Sequence, residues 1–189
     1  MLDIALEFLR DELNTYLQAR TGSNSVAVKL SRIVDDTGKV AFDSQTIGAC
    51  VLNVEEERTL KTQLPQYTYQ NGQHVVREPD LKLNLYIIFA GNFTVYEEAL
   101  KNLSYLLLYF QANPAFTQDG FPALDPRIAK LVMELQSPTF DNLNQIWTFI
   151  GGKQLPSIIY KMRLVMLQPD APSGVQPPIT TVTAALQQK

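Results

Sequence analysis

The chain has little of the side-chain chemistry that most enzymes and metal sites use. Its 189 residues include one cysteine and one histidine, which excludes an internal disulfide and any site built from several imidazoles. Charged residues make up only 19%, against about 25% in soluble globular proteins. Sixteen basic and nineteen acidic residues give a net charge of -3. Without a basic excess, nucleic acid and anionic membrane surfaces are excluded as main partners.

A long apolar run is also missing, because polar residues interrupt every stretch of the length that a membrane-spanning helix needs. The acidic start from Asp3 onward is unlike the basic start of a signal peptide. We therefore expect a protein that is made and kept in the cytoplasm. A hydrophobic fraction of 46% is enough to build a core, and the length suits one domain.

Apolar residues repeat at helical spacing near the N-terminus and alternate as in strands further on. The first helix carries on one face Leu2, Ala5, Leu6, Leu9, Leu13 and Tyr16, and Thr21-Gly22 breaks it. Strands are predicted over 25–34, 47–54, 81–90, 128–135 and 155–167. The first strand is followed by a turn at Asp35–Gly38, and the second ends abruptly at a charged turn, Glu55–Arg58.

The second helix follows Thr94, which with Glu97 is predicted to form a capping box. Its predicted inward face carries Tyr96, Ala99, Leu100, Leu103, Leu107 and Phe110. The opposite face presents Tyr105, Leu108 and Tyr109, which fit an interaction surface or a face covered by another layer of the same subunit.

The third helix begins after Ser137-Pro138-Thr139 and ends at Gly151-Gly152. Its predicted inward residues are Phe140, Leu143, Ile146, Trp147 and Ile150. Together the elements predict an α+β fold (mixed α/β), in which about three helices pack on one side of a mixed β-sheet.

We expect one domain over residues 1–167, followed by a Pro-rich, extended C-terminal tail over 168–189. Within the tail, the stretch from Ile179 to Leu186 is suited to adding a strand or short helix to a partner. Inside the domain, residues 61–80 are polar without a clear period, which predicts a functional or mobile loop.

Candidate chemical groups are few, and each has a simpler interpretation. His74 is predicted in a loop without a nucleophile at a meaningful spacing, and Cys50 lies mid-strand as a buried thiol. Gly151-Gly152-Lys153 follows a helix, so a helix C-cap is favoured over a phosphate loop. The run Glu55–Glu57 fits a solvated charge run, contacts with a neighbouring subunit or, less well, a metal site. We therefore predict no catalytic residue, cofactor or metal.

Three separated segments resemble one known family. LNVEEERTLK (52–61), LNLYIIFAGNFTVYEEALKNLS (83–104) and FDNLNQIWTFIGGKQLPSIIYKMR (140–163) are similar to the tail-terminator, or cap, family of contractile injection systems. These phage-tail-like particles are related to antifeeding prophages and virulence cassettes. The resemblance covers about residues 1–168. It implies a six-membered ring that stops growth of the inner tube at its distal end and anchors the last ring of the sheath.

The leading hypothesis is therefore a homohexameric ring with tube and sheath proteins as partners, assembled in the cytoplasm and carried by a particle that is released or held in the cell. Its interface is predicted at the charged turn, the second helix and the tail, through Glu55, Glu56, Glu57, Arg58, Tyr105, Leu108, Tyr109, Ile179 and Val182. Two alternatives stay open: a monomeric adaptor that binds one partner through the tail, and a small enzyme with its site around His74 and Glu56.

Overall fold

A computed structural model describes residues 1–57, 66–70, 73–77, 81–166 and 174–176. The elements, in chain order, are α1 (Leu2–Thr21), β1 (Ala27–Leu30), β2 (Thr46–Glu56), β3 (Gln66–Gln70), β4 (Gln73–Arg77), β5 (Leu81–Asn92), α2 (Tyr96–Ala112), β6 (Ala115–Phe116), β7 (Ile128–Gln136), α3 (Phe140–Ile150), β8 (Ser157–Met166) and β9 (Gly174–Gln176). The predicted α+β class, with a mixed sheet and three helices, is confirmed in these residues.

The main sheet has the strand order β1-β2-β5-β8-β7-β6 within the described residues. Only β1 and β2 pair in parallel, and the remaining neighbours are antiparallel. Strand β5 lies between β2 and β8 and is apolar on both faces, so Ile87, Ile88, Phe89 and Ala90 are all buried. A strand with two apolar faces has to be covered on both sides, which explains its central position.

Helices cover both faces of this sheet. Helices α1 and α2 pack with Ile87 and Phe89 in the larger core, which is rich in aromatic rings. Helix α3 packs on the opposite face, where Trp147 joins Ile88 and Ala90. The prediction that the helices lie on one side is therefore wrong, because the alternation along β5 leaves a second apolar face that α3 covers.

Several predicted boundaries are confirmed and others are not. Helix α1 ends at Gly22 in the left-handed conformation, with φ of 67°, and α3 ends in the same way at Gly151. The strand predicted over 25–34 is shorter, since β1 covers only Ala27–Leu30. The turn after it is confirmed by the Val34–Val40 bridge.

The capping box predicted for α2 does not form. The N-cap position is Val95, and no side chain caps the helix. Thr94 lies one residue further out, with its hydroxyl 3.4 Å from that of Ser44.

A second, three-stranded sheet is formed by the 61–80 segment, predicted as a loop, and by the predicted tail. Strands β3 and β4 form an antiparallel hairpin inside the 61–80 segment, and β9 from the tail pairs with β4. Strand order β3-β4-β9 repeats the order β2-β5-β8 of the main sheet, because each of these strands is next along the chain to its counterpart. The prediction of an irregular loop is therefore wrong for the ten residues of this hairpin.

Candidate interaction surface

The predicted charged turn begins inside a strand. Glu55 and Glu56 belong to β2, which pairs with β5 as far as Glu56. The Glu57 N–H still donates to β5, reaching the carbonyl of Lys82 at 2.9 Å. The expected end of the strand at Glu55 is wrong, because β5 continues to offer backbone partners. Arg58 lies outside the described residues.

Two of the three glutamates are held by amide side chains of their own sheet. Asn53 Nδ2 donates to Glu55 Oε1 at 2.9 Å, and Asn84 Nδ2 donates to Glu57 Oε2 at 3.0 Å. Residues two apart on a strand point to the same face, so Glu55 and Glu57 lie together while Glu56 points to the other face. The three carboxylates therefore do not form one cluster.

Polar side chains continue this row across the sheet. Asn84 pairs in register with Arg163 of β8, and Arg163 forms an ion pair with Glu134 of β7. Asn84 is only 5% exposed, and in the described part of the chain its Oδ1 and the Nε of Arg163 lack hydrogen-bond partners. This part of the α3 face of the sheet is polar and carries both signs of charge.

Helix α2 is rotated relative to its predicted orientation. Tyr109, predicted to face outward, is 6% exposed, whereas Tyr96 and Leu100, predicted to face inward, are exposed. Leu108 is exposed as predicted, and Tyr105 is half-buried against the core. Tyr109 turns inward because α1 lies beside α2: its hydroxyl donates to Glu12 at 3.1 Å.

Helix α3 exposes two phenylalanines that the sequence analysis did not assign to a surface. Phe140 is 92% and Phe149 87% exposed. Phe140 was predicted to face inward, but it is the first residue of the helix. Phe149 falls on the helical face of the polar residues Asn142 and Gln145. An aromatic residue on an otherwise polar helical face could have identified Phe149 as an exposed side chain from the sequence.

A groove of about 850 Å³ runs between α3 and the sheet. Its apolar lining includes Leu52, Tyr86, Ile146, Phe149 and Ile159, while the rest consists mostly of amide and hydroxyl side chains. The groove exists because α3 covers only part of its face of the sheet.

The groups singled out for chemistry are not brought together. His74 lies in β4 rather than in a loop, paired in register with Tyr69 and Gln176. Cys50 is half-buried in β2, and burial raises the pKa of its thiol, which lowers the thiolate fraction. Gly151 is the C-cap of α3, which confirms the helix-cap interpretation.

The described residues contain neither a metal-binding cluster nor a membrane-spanning helix. No group of three His, Cys, Asp or Glu residues there is placed to hold a metal ion. None of the helices in that part of the chain is long and apolar enough to cross a membrane. Ile179 and Val182, the predicted contacts in the tail, lie outside the described residues.

Comparison with known proteins gives one family and several similar solved structures, among them two terminators. Residues 5–181 match the family model described as the Pvc16 N-terminal domain. The PVC sheath/tube terminator of an extracellular contractile injection system, in its extended state, superimposes with a TM-score of 0.67 at 12% identity. The match covers 100% of this chain and 64% of that one.

The anti-feeding prophage cap, a tube terminating cap, gives a TM-score of 0.62 at 14% identity over 94% of this chain and 60% of that chain. The chain thus spans just under two thirds of the length of both structures. Curated protein sequences yielded no match. At such identities the likeness establishes a shared fold. Together with the family match it confirms the resemblance drawn from the three sequence segments.

Proposed function

Because the chain belongs to the Pvc16 N-terminal domain family, we propose that it is a terminator of a contractile injection particle. It caps the distal end of the inner tube and anchors the last ring of the sheath. The observation that carries the proposal is the family match over residues 5–181, supported by a fold shared with two tube terminators. Its partners are then the tube and sheath proteins. The chain is assembled in the cytoplasm and forms part of the particle.

The role is mechanical rather than catalytic. A contracting sheath pulls on whatever fastens it to the tube, so the cap has to stay folded under tension. The main sheet suits this task, because its central strand β5 is hydrogen-bonded to β2 over ten registered residue pairs and to β8 over another ten. Pulling such strands apart breaks many backbone hydrogen bonds, whereas no residue needs to react.

Ring formation, most simply as a homohexamer, is the second part of the proposal. In a closed ring each subunit uses two different surfaces, one for each neighbour. Exposed apolar side chains on opposite faces of the sheet suit this arrangement: Leu108 on α2 and Phe149 on α3. Covering such side chains with a neighbouring subunit removes apolar surface from water, which favours association.

The interface proposed from the sequence is kept in part. The remaining contact candidates are the charged run Glu55, Glu56, Glu57 and Arg58, the α2 residues Leu108 and Tyr105, and Ile179 and Val182 in the tail. Tyr109 supports the surface from beneath, because it is buried against α1.

Mass photometry and negative-stain microscopy of the purified chain test the ring directly. We expect ring-shaped particles with a mass of about six chains and co-sedimentation with assembled tube or sheath protein. A chain that stays monomeric at high concentration and binds neither tube nor sheath would overturn the proposal.

A further inference from the structure

The groove beside α3 has an unusual chemical character for an exposed surface. Among the described residues that line it, Glu55 is the one charged side chain. Phe149 stands at its edge and is 87% exposed. A groove that binds a globular partner by electrostatic attraction would carry more charged side chains than this one does. This groove suits an extended, uncharged segment with small apolar and hydroxyl side chains.

The chain contains such a segment outside the described residues. Residues 177–189, PPITTVTAALQQK, carry no charge before Lys189 and consist of apolar, threonine and glutamine side chains after two prolines. In an extended chain alternate residues share a face, which places Val182, Ala184 and Leu186 together. These three match the apolar part of the groove, and Thr180 and Gln188, which share their face, match its amide and hydroxyl part.

Strand β9, the described part of the tail, gives the point from which the segment starts. Gly174 pairs with Val76 and Gln176 with His74, so β9 runs from the end of β4 that leads into β5 towards the hairpin turn. From His74 to Tyr86 in the groove is twelve residues of chain, up to about 40 Å when extended. A thirteen-residue segment that bridged such a distance within one subunit would have little length left to lie in the groove.

We propose that residues 177–189 of one copy bind in the groove of a neighbouring copy. The contact joins two different surfaces, a groove on one subunit and a segment of the next, which is the type of interface that closes a ring. The inference rests on the proposed ring and names one of its contacts.

Cysteine crosslinking between co-expressed, differently tagged full-length chains tests it. Both carry Cys50→Ala to remove the native thiol; one adds Val182→Cys and the other Gln145→Cys at the exposed edge of the groove. Oxidation should give a disulfide-linked dimer carrying both tags. The matched control replaces Gln145→Cys with Gln18→Cys, which is exposed on α1, on the opposite face of the sheet. This control should give at least about tenfold less crosslinked dimer than Gln145→Cys does. A difference of that size shows that the segment binds clearly more weakly at the control position.

A chain with both Val182→Cys and Gln145→Cys separates binding within one subunit from binding between subunits. An intramolecular disulfide in dilute monomer, without the mixed dimer, would overturn the proposal. So would equal crosslinking to Gln18→Cys, or no crosslink at all. If no crosslink forms but rings still assemble, the inference fails while the proposed function stands. A wild-type chain that forms no ring counts against both.

The two exposed phenylalanines of α3 provide a second, independent comparison. Phe149→Asp introduces a charge in the groove, and Phe140→Asp introduces the same charge on the same helix outside it. We expect Phe149→Asp to lower the yield of the crosslink between Val182→Cys and Gln145→Cys about tenfold and Phe140→Asp to leave it nearly unchanged. Equal losses in both variants, with both folded by circular dichroism, would contradict groove binding.

Discussion

Tyr109 lies where α1, α2 and the sheet meet. Its ring contacts that of Tyr16 at a centroid distance of 4.9 Å and that of Phe116 at 6.2 Å. Its hydroxyl donates to Glu12 Oε2 at 3.1 Å. Burial, followed by the charge of Glu12, raises the pKa of the phenol well above 10.0. One residue thus couples the two helices by packing and by a hydrogen bond.

The first prediction concerns that hydrogen bond. Tyr109→Phe keeps the ring and removes the donor, so we expect the free energy of unfolding to fall by about 1.5–3 kcal/mol, the range for a hydrogen bond to a charged group. Urea unfolding followed by the fluorescence of Trp147 measures it. Tyr105→Phe, half-buried on the same helix, is the control and should change little.

The raised pKa of Tyr109 adds an alkaline test. A group with a higher pKa in the folded state stabilises the fold fully below its unfolded pKa and loses that contribution as pH rises towards the folded pKa. Wild-type stability should therefore fall as pH rises above 10, and Tyr109→Phe should fall less steeply. If stability falls equally steeply with pH in both proteins, the ionisation of Tyr109 does not contribute to the pH dependence of folding.

Gly48 provides a second prediction at the scale of one residue. A Cβ atom built there would lie 2.3 Å from Cε1 of Phe42, whose ring is buried on the α3 face. Because this buried ring would have to shift to make room, Gly48→Ala should destabilise the protein by about 1–3 kcal/mol. Gly120→Ala meets nothing closer than 4.0 Å and should stay within about 0.5 kcal/mol of wild type. Thermal unfolding of both variants decides between steric conflict and a general cost of losing glycine.

At the scale of elements, a side chain closes one edge of the main sheet. Asn14 of α1 accepts from Val28 N–H at 2.7 Å and donates to Val28 C=O at 3.2 Å, as a neighbouring strand would. Edge strands with free backbone groups invite pairing with other chains. At Val28 the amide of Asn14 occupies both groups, so this point of the edge is not open to pairing with another chain.

The third prediction follows from this contact. Asn14→Ala leaves the buried backbone N–H of Val28 without its partner, and we expect a loss of about 1–3 kcal/mol in the free energy of unfolding. Self-association through β1 should increase as well, visible by light scattering. Gln18→Ala, at an exposed position on the same helix, serves as the matched control. A loss no larger than that of the control would show that water replaces the amide.

The whole molecule combines a rigid sheet with several uncovered apolar side chains. If subunits assemble into a ring, assembly stabilises the folded state by mass action. We therefore expect the Tm of the wild-type chain to rise with protein concentration, and that of Phe149→Asp to rise less. Differential scanning calorimetry over a hundredfold range of concentration measures this. A Tm that does not depend on concentration would contradict the proposed ring.

Much of the fold was predictable because local patterns carry it. Helical spacing identified α1 and α3, and runs of apolar residues identified β5, β7 and β8. The Gly151 cap could be predicted because a glycine after a periodic segment adopts the left-handed conformation readily. The hairpin of β3 and β4 was missed, since polar strands lack a hydrophobic period and β9 lies about a hundred residues away in sequence.

The sequence by itself determined the class of fold, the order of the main elements and the scarcity of reactive groups. These follow from composition and spacing, which act locally. Only the tertiary structure decided that Tyr109 faces inward, that α3 covers the second face of the sheet and that Phe149 borders a groove. Helix α2 is apolar on two faces, so its own sequence does not select the buried one. The selection comes from contacts with α1 and the sheet, which form only when distant segments pack together.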